Sequence, residues 1–514
     1  MSRKAQGVVM KKYYDIVIVG SGAGGGTVAQ SLIPLKEKGL KIAVLEQGPH
    51  FPHSFFTQRE IEMMRLFRFN GAWPVKSGEI TIAAGQGVGG STLMYTGVSF
   101  RLPESVVKEW NVPGLTMDDL TPRFERIERD IHVIQPSETM VNDNNRIFKK
   151  GCEKLGWPVK KIPINVKNCE QVGFCNLGCC SGSKQGTLEV QLPEAIQSGI
   201  DLIPNCEVVQ LSEKKLHAKI HNVPPGTLEG KWPPGKITIH SDIIVLAAGS
   251  PGTSGLLLKS GFQQYLPRIG RDITLHPAMT LYGVYPKPIV NYRGFPKTYY
   301  TDQFSNSHGY YIETAFYYPF VSSRHMGLWG KDLSEIMSRY NQLMTVLVLN
   351  HDTIRKENRI TLDRKGNVQV HYQLTGTVIE SLCHAQIQAA RLFFEAGCEH
   401  VIIPCASSPV IPRNKQKELE ELIQTKYFIS VKTPVSSAHP QGGCAMGRDP
   451  DSSVTNSWGQ VHGFPWLFVA DSGLFPNSAH VNPYLTVMAL ADRVADKIKK
   501  KLQLNDETCF QSFS

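Results

Sequence analysis

The chain has 514 residues, 41% hydrophobic and 19% charged, enough for two or three domains with a sizeable core. Its formal net charge is +10, but the basic residues are scattered without interleaved aromatics, which argues against a nucleic-acid partner. No apolar run reaches the ~20 residues of a membrane span, and eleven cysteines in a long chain without a secretory signal argue against a disulfide framework. A cytoplasmic location is therefore expected, with peripheral membrane association or export alongside a partner left open.

The first informative segment is Gly20-Ser21-Gly22-Ala23-Gly24-Gly25, directly behind the apolar run from Tyr14 to Val19. Helical character follows from Thr27 to Leu35, then a second apolar run, Ile42 to Leu45, ending in Glu46. Strand, glycine turn, helix, strand and acid in this order predict a dinucleotide site. Gly20 permits the tight turn, Gly22 lets a pyrophosphate approach the backbone, and Gly25 lets helix and strand pack closely. The helix N-terminus offers unpaired N–H groups to phosphate, and Glu46 can accept hydrogen bonds from a ribose. The turn alone does not separate NAD from FAD.

Residues 83–92 form a second small-residue stretch that includes Gly87, Gly89, Gly90 and Ser91. Such a stretch offers backbone donors beside a cofactor, or merely a tight packing turn. Residues 104–157 read as mostly helical, followed by a Cys/Gly loop over 168–187 and a helix from Leu188 to Ser198. Ile200–Gln210 and Lys236–Leu246 read as strands, the second running into Ala247-Ala248-Gly249. Residues 278–372 are aromatic-rich and alternating, as in Tyr310 to Tyr318, which suits an antiparallel sheet facing a cavity. Helical periodicity returns over 376–397. A loop and a charged helix are expected over 406–430, then a strand from Trp466 to Ala470 and a final helix. The basic run Lys497 to Lys501 reads as the solvated end of that helix, or as a weak contact for an anionic surface.

Together these segments resemble the glucose–methanol–choline (GMC) family of FAD-dependent oxidoreductases. The resemblance rests on the N-terminal fingerprint, Gly85 to Thr92, Leu246 to Gly249, Gly270-Arg271-Asp272 with His276-Pro277, and three C-terminal blocks. Those blocks are His439 to Gly447, Val469 to Ser472, and Asn482-Pro483 leading into Thr486 to Asp496. Their joint order selects FAD over NAD. It implies an α/β architecture in which a Rossmann-like FAD domain (10–275 and 431–505) carries an inserted antiparallel-sheet substrate domain (276–430). Among cofactor contacts, the resemblance implies a backbone contact from Val208 to the adenine and places Ala248, Asp471, Asn482 and Pro483 along the cofactor. Asp471 would equally serve as a helix cap. The chain departs from the family pattern at Leu93-Met94-Tyr95, where many members have Asn.

The implied activity is oxidation of an alcohol CH–OH group to an aldehyde or ketone. His439 matches the family's catalytic histidine, suited to take the hydroxyl proton, and Asn482 the position that hydrogen-bonds the substrate oxygen. His480 either supplements them or packs, and His276 resembles a position near the flavin edge that also has a purely structural reading. The aromatic segment 310–320 hints at a bulky, hydrophobic alcohol. An external acceptor, whether oxygen, quinone or a redox protein, must reoxidise the flavin.

Cys169, Cys175 and Cys179 have Cys-x5-Cys-x3-Cys spacing in a glycine-containing loop, and thiolates so placed can ligate an iron–sulfur cluster. The spacing is similar to that of GMC sugar dehydrogenases with a 3Fe–4S cluster, while Gly178 to Thr187 also resembles long-chain alcohol oxidases that need none. Reduced structural thiols are the alternative. A sugar or polyol dehydrogenase, and a non-catalytic flavin electron-transfer subunit, are the rival functions.

Overall fold

The computed structural model describes residues 10–511, with side chains to 503. One seven-stranded sheet contains the N-terminal fingerprint. Its order is Asp201–Ile203, Ile42–Leu45, Met10–Val19, Gly235–Leu246, Lys215–Ile220 and Cys206–Ser212, with Leu467–Val469 also paired to Gly235–Leu246. The strands from Asp201–Ile203 through Gly235–Leu246, and Leu467–Val469, run parallel; the other two are antiparallel. Ile16, Val17 and Ile18 are fully buried, which explains why this segment reads as a continuous apolar run. The carboxyl ends of five parallel strands thus share one edge, where open α/β sheets place their ligands.

The glycine-rich helix Ala23–Ser31 packs against the C-terminal helix Tyr484–Gln511. The packing depends on missing side chains. A Cβ on Gly25 would enter the Gly20 carbonyl, and one on Gly24 the Ala470 carbonyl. Gly20 itself has φ +102°, a left-handed conformation that glycine adopts without strain.

The ten-stranded second sheet is built around Ala278–Val284, Leu343–Asn350 and Tyr310–Thr314, paired antiparallel. The helix Gly376–Ala396 backs it, burying Leu382, Phe393 and Phe394. The sheet also recruits Trp73–Pro74, Thr81–Ile82, Lys160–Lys161 and Ser436–Ser437 from outside residues 276–430.

Three local expectations differ from the structure. The segment 200–210 is two strands, Asp201–Ile203 and Cys206–Ser212. Pro204 cannot donate to a ladder, and Asn205 turns the chain at φ +57°. The charged helix expected over 406–430 is a 3-10 segment, Arg413–Glu418, and a single turn, Leu419–Leu422, because only Leu419 of that turn is buried to hold it. The lysine run 497–501 lies within the helix Tyr484–Gln511 rather than at its end, and its Ile498 is fully buried. Residues 1–9, part of the stretch that bears on a secretory signal, and the side chain of residue 509, the last cysteine, lie outside what the structure describes.

Candidate active site

A cavity of about 570 Å³ opens along the shared carboxyl edge of the first sheet and extends under the second. Gly20, Gly22, Glu46, Gly90 and Ser91 line it on one side. Val208, Ala248, Asp471, Asn482, Pro483 and His439 line it elsewhere. Residues chosen from segments scattered over 460 positions of sequence thus meet around one space. Gly25, Gly87 and Gly89 do not face it. Gly25 serves the helix–strand contact; a Cβ on Gly87 would strike Phe51; and the Gly89 N–H donates to Ser21 Oγ at 3.1 Å.

The polar groups at the dinucleotide end are set by the backbone around them. Glu46 accepts from Ser21 N at 3.0 Å, Ser21 Oγ at 2.7 Å and Gly48 N at 2.8 Å. Burial raises its pKa, and these three hydrogen bonds and nearby Arg68 oppose that rise. Gly22 and Gly90 approach each other so closely that a Cβ on Gly90 would lie 2.7 Å from Gly22 Cα. At Val208 the ladder breaks register: Val208 faces Ala218 and Gln210 faces His217. Val209 is left unopposed as a bulge, which re-aims the strand at the cavity. Asp471 caps the 3-10 turn Ser472–Leu474 through Gly473 N at 2.7 Å and accepts from Thr253 Oγ1. Burial pushes its pKa up to about 6.

The other end holds His439 and Asn482. Asn482 precedes the helix that starts at Tyr484, and its Oδ1 is buried without a hydrogen-bond partner among the described residues. Burial lowers the His439 pKa to about 3, with the Lys297 ammonium acting in the same direction. Its Nδ1 lies 3.0 Å from His276 Nδ1, the two rings perpendicular. His276 is fully buried and supports His439 from behind rather than facing the cavity. His480 does not line the cavity either; it stacks on His351 at 4.0 Å, near Glu109.

Two wall residues escaped the sequence. Lys297 is buried against Glu313 and faces the cavity beside Tyr317 and Thr280. No motif marks it, because its partner is 16 residues away across a strand pair. Arg68 lies over Trp73 at 5.0 Å and lines the cavity near Glu46 and Glu207.

The cysteine loop is organised around a buried lysine. Among the described residues no three His, Cys, Asp or Glu side chains are grouped to hold a metal ion. Instead the buried Lys184 ammonium donates to the carbonyls of Leu93, Tyr95 and Cys175 at 2.7, 2.9 and 2.7 Å. Burial lowers its pKa to about 8 while Cys175 and Cys179 act to raise it. Backbone N–H groups of Gln171 and Lys184 point at Cys169 and Cys179 sulfur, both at 3.4 Å. Lysine thus joins this loop to the 89–95 segment, and Asn176 and Leu177 contribute to the cavity wall.

Two family models, both described as GMC oxidoreductase, match residues 14–278 and 355–491. The chain belongs to the GMC oxidoreductase family. This GMC oxidoreductase is therefore a flavin-dependent enzyme acting on CH–OH donors, and FAD is the cofactor its cavity has to hold. The residues present fit that group: a glycine cradle at helix Ala23–Ser31, a carboxylate anchored at Glu46, and Val208 beside the bulge all face one space. The enzyme is 29% identical to a long-chain-alcohol oxidase of Arabidopsis thaliana over 96% of this chain and 70% of that one. It is 23% identical to a cholesterol oxidase of Mycobacterium tuberculosis, over 95% and 91% of the two chains. Its fold is similar to that of pyridoxine 4-oxidase from Mesorbium loti, with a TM-score of 0.69, 19% identity, and 94% and 99% of the chains covered. Formate oxidase from Aspergillus oryzae gives a TM-score of 0.71 at 15% identity, covering 96% and 99%.

Proposed function

We propose that this GMC oxidoreductase oxidises a bulky, hydrophobic alcohol to its aldehyde or ketone, with His439 and Asn482 addressing the alcohol oxygen. The observation that carries this reading is the pair itself. A neutral imidazole and a buried, unpartnered amide oxygen line the cavity that also contains the dinucleotide loops. FAD, when bound, supplies the hydride acceptor. The loops at Gly20–Gly24, Glu46, Gly90-Ser91, Val208, Ala248 and Asp471 would hold it. Asn482 Oδ1 would orient the hydroxyl, and His439 would take the hydroxyl proton.

The apolar part of the wall supports a hydrophobic substrate. Ala278, Tyr318, Val321, Leu347 and Leu349 line it, and the names of the alcohol-oxidase and cholesterol-oxidase relatives agree with that chemistry. Oxygen is the proposed acceptor, in keeping with the oxidase names of the relatives. The test is anaerobic mixing of flavin-loaded enzyme with a series of primary alcohols of increasing chain length and with a sterol. Loss of the oxidised-flavin absorption should become faster as the apolar portion grows. Fast reduction by sugars, with none by the apolar alcohols, would instead support the sugar dehydrogenase reading.

A further inference from the structure

His439 is reached from behind by a hydrogen-bond chain whose direction can be read from one end to the other. Gln441 is fully buried, and its Oε1 accepts the Ala479 backbone N–H at 2.8 Å. A backbone N–H is always a donor, so this contact fixes which end of the amide is oxygen. Gln441 Nε2 therefore donates, to His439 O at 3.3 Å and to His276 Nε2 at 3.0 Å. Ser478 Oγ accepts the His480 N–H at 3.2 Å and stands 2.9 Å from the same His276 nitrogen. An imidazole nitrogen facing an amide N–H must be the bare one. His276 is neutral, its pKa held well below the ordinary value by burial and by neighbouring His439. Its proton is then on Nδ1, which meets His439 Nδ1 at 3.0 Å. His439 is neutral as well, so its own proton is left on Nε2.

We propose that Gln441, acting through His276, is a positioning residue that keeps the proton of His439 on Nε2, so that His439 meets the alcohol oxygen as a hydrogen-bond donor. This rests on the proposed role of His439 and deepens it. The alcohol oxygen would receive the His439 N–H and give its own hydrogen to the orphaned Oδ1 of Asn482. One hydroxyl satisfies both, which fixes its orientation. For His439 to take the hydroxyl proton at Nε2, the chain must first stand in the opposite sense. That sense sets the Gln441 N–H against a protonated His276 Nε2. Gln441 thereby holds the site in its donor form. Neither Gln441 nor His276 lines the cavity, so both act through His439.

The test is nitrogen NMR of flavin-loaded enzyme carrying 15N-labelled histidine at pH 7, with the His439 signals identified by their loss in His439→Asn. The expected result is a protonated Nε2 and a bare Nδ1 at His439. A bare Nε2 in the wild-type enzyme would overturn the proposal. Gln441→Glu can still accept from Ala479 with one oxygen, and its other oxygen accepts from His276 Nε2–H. It should reverse both tautomers; an unchanged His439 in a flavin-bound variant would also overturn the proposal. If that variant does not retain flavin, Gln441→Met, which offers no N–H, should give a mixture of tautomers where wild type gives one. A single unchanged tautomer there would count against the assignment. None of these readings uses a substrate, so failure to oxidise alcohols would overturn the proposed function and leave the tautomer result standing on its own.

Discussion

His439 is uncharged at neutral and mildly acidic pH, because burial and the Lys297 ammonium both disfavour imidazolium. An exposed histidine would titrate near 6.5. The rate of anaerobic flavin reduction by a good alcohol should therefore show no inflection from His439 between about pH 5 and 8. A tenfold fall in rate from about pH 7 to 5 would mean that the imidazole titrates normally. Asn482→Ala should retain flavin and lower that rate by about 10²-fold, with the loss in the rate constant at saturating alcohol rather than in flavin content. That His439, Asn482 and most of the proposed cofactor residues gather at one cavity was legible in the sequence, because each belongs to a local block whose spacing carries its meaning. Gln441 stands in one of those blocks without an assigned role, and His276 reads as near the flavin edge or as structural. Their roles depend on contacts with Ala479 and His439, 38 and 163 positions away in sequence, and local spacing contains no trace of them.

At the level of elements, the glycine turn and the cysteine loop make opposite demands. The turn works because nothing projects from it. Gly25→Ala would press a methyl group into the Gly20 carbonyl and should cost about 1–3 kcal/mol or more, read as a lower Tm together with weakened FAD retention. The cysteine loop works because Lys184 fills it. Lys184→Met leaves three buried carbonyl oxygens without their donor and should destabilise the protein by roughly 3 kcal/mol. Cys175→Ser should leave turnover near wild type, and anaerobically purified enzyme should contain flavin with no stoichiometric iron. About three irons per flavin would restore the cluster reading. The loop shows where sequence reasoning stops. Cysteine spacing is the same whether the sulfurs converge on a metal or pack around an ammonium, and Lys184 looks like any surface lysine until the fold buries it. The strand split at Pro204-Asn205 falls inside a segment that reads as one strand from Ile200 to Gln210.

Across the whole molecule, the two sheets meet at a cavity around which several histidines are kept neutral by burial. His439 and His351 have pKa values lowered to about 3, His325 to about 4, and His276 also lies well below the ordinary range, each chiefly through burial. In the unfolded chain these groups bind protons near pH 6.5; in the folded enzyme they do so only at much lower pH. The unfolded state thus binds more protons between those values, and stability falls as pH drops below about 6.5. By about pH 4.5 each such histidine should cost on the order of 2–3 kcal/mol. Thermal unfolding should show a steep fall in Tm from about pH 6.5 to 4, and a Tm flat over that interval would contradict the buried-neutral assignment. The C-terminal helix is secured to residues 114–130 by Arg493 with Asp119 and by Arg123 with Asp492 and Asp496, so the Asn482 end of the cavity is anchored from outside. The α/β fold class, with a Rossmann-like sheet and an antiparallel sheet, was legible as a family pattern. The recruitment of 73–82 and 160–161 into the second sheet was not, because those strands are only two residues long.

The most direct measurement compares anaerobic reduction of bound flavin by a long-chain primary alcohol in the wild-type enzyme and in His439→Ala. Both proteins should bind FAD equally. The wild type should be reduced by the alcohol, and the variant should be slower by about 10²–10⁴-fold. Equal rates in the two proteins would contradict the account, because the cavity would then be oxidising alcohols without the residue around which the site is built.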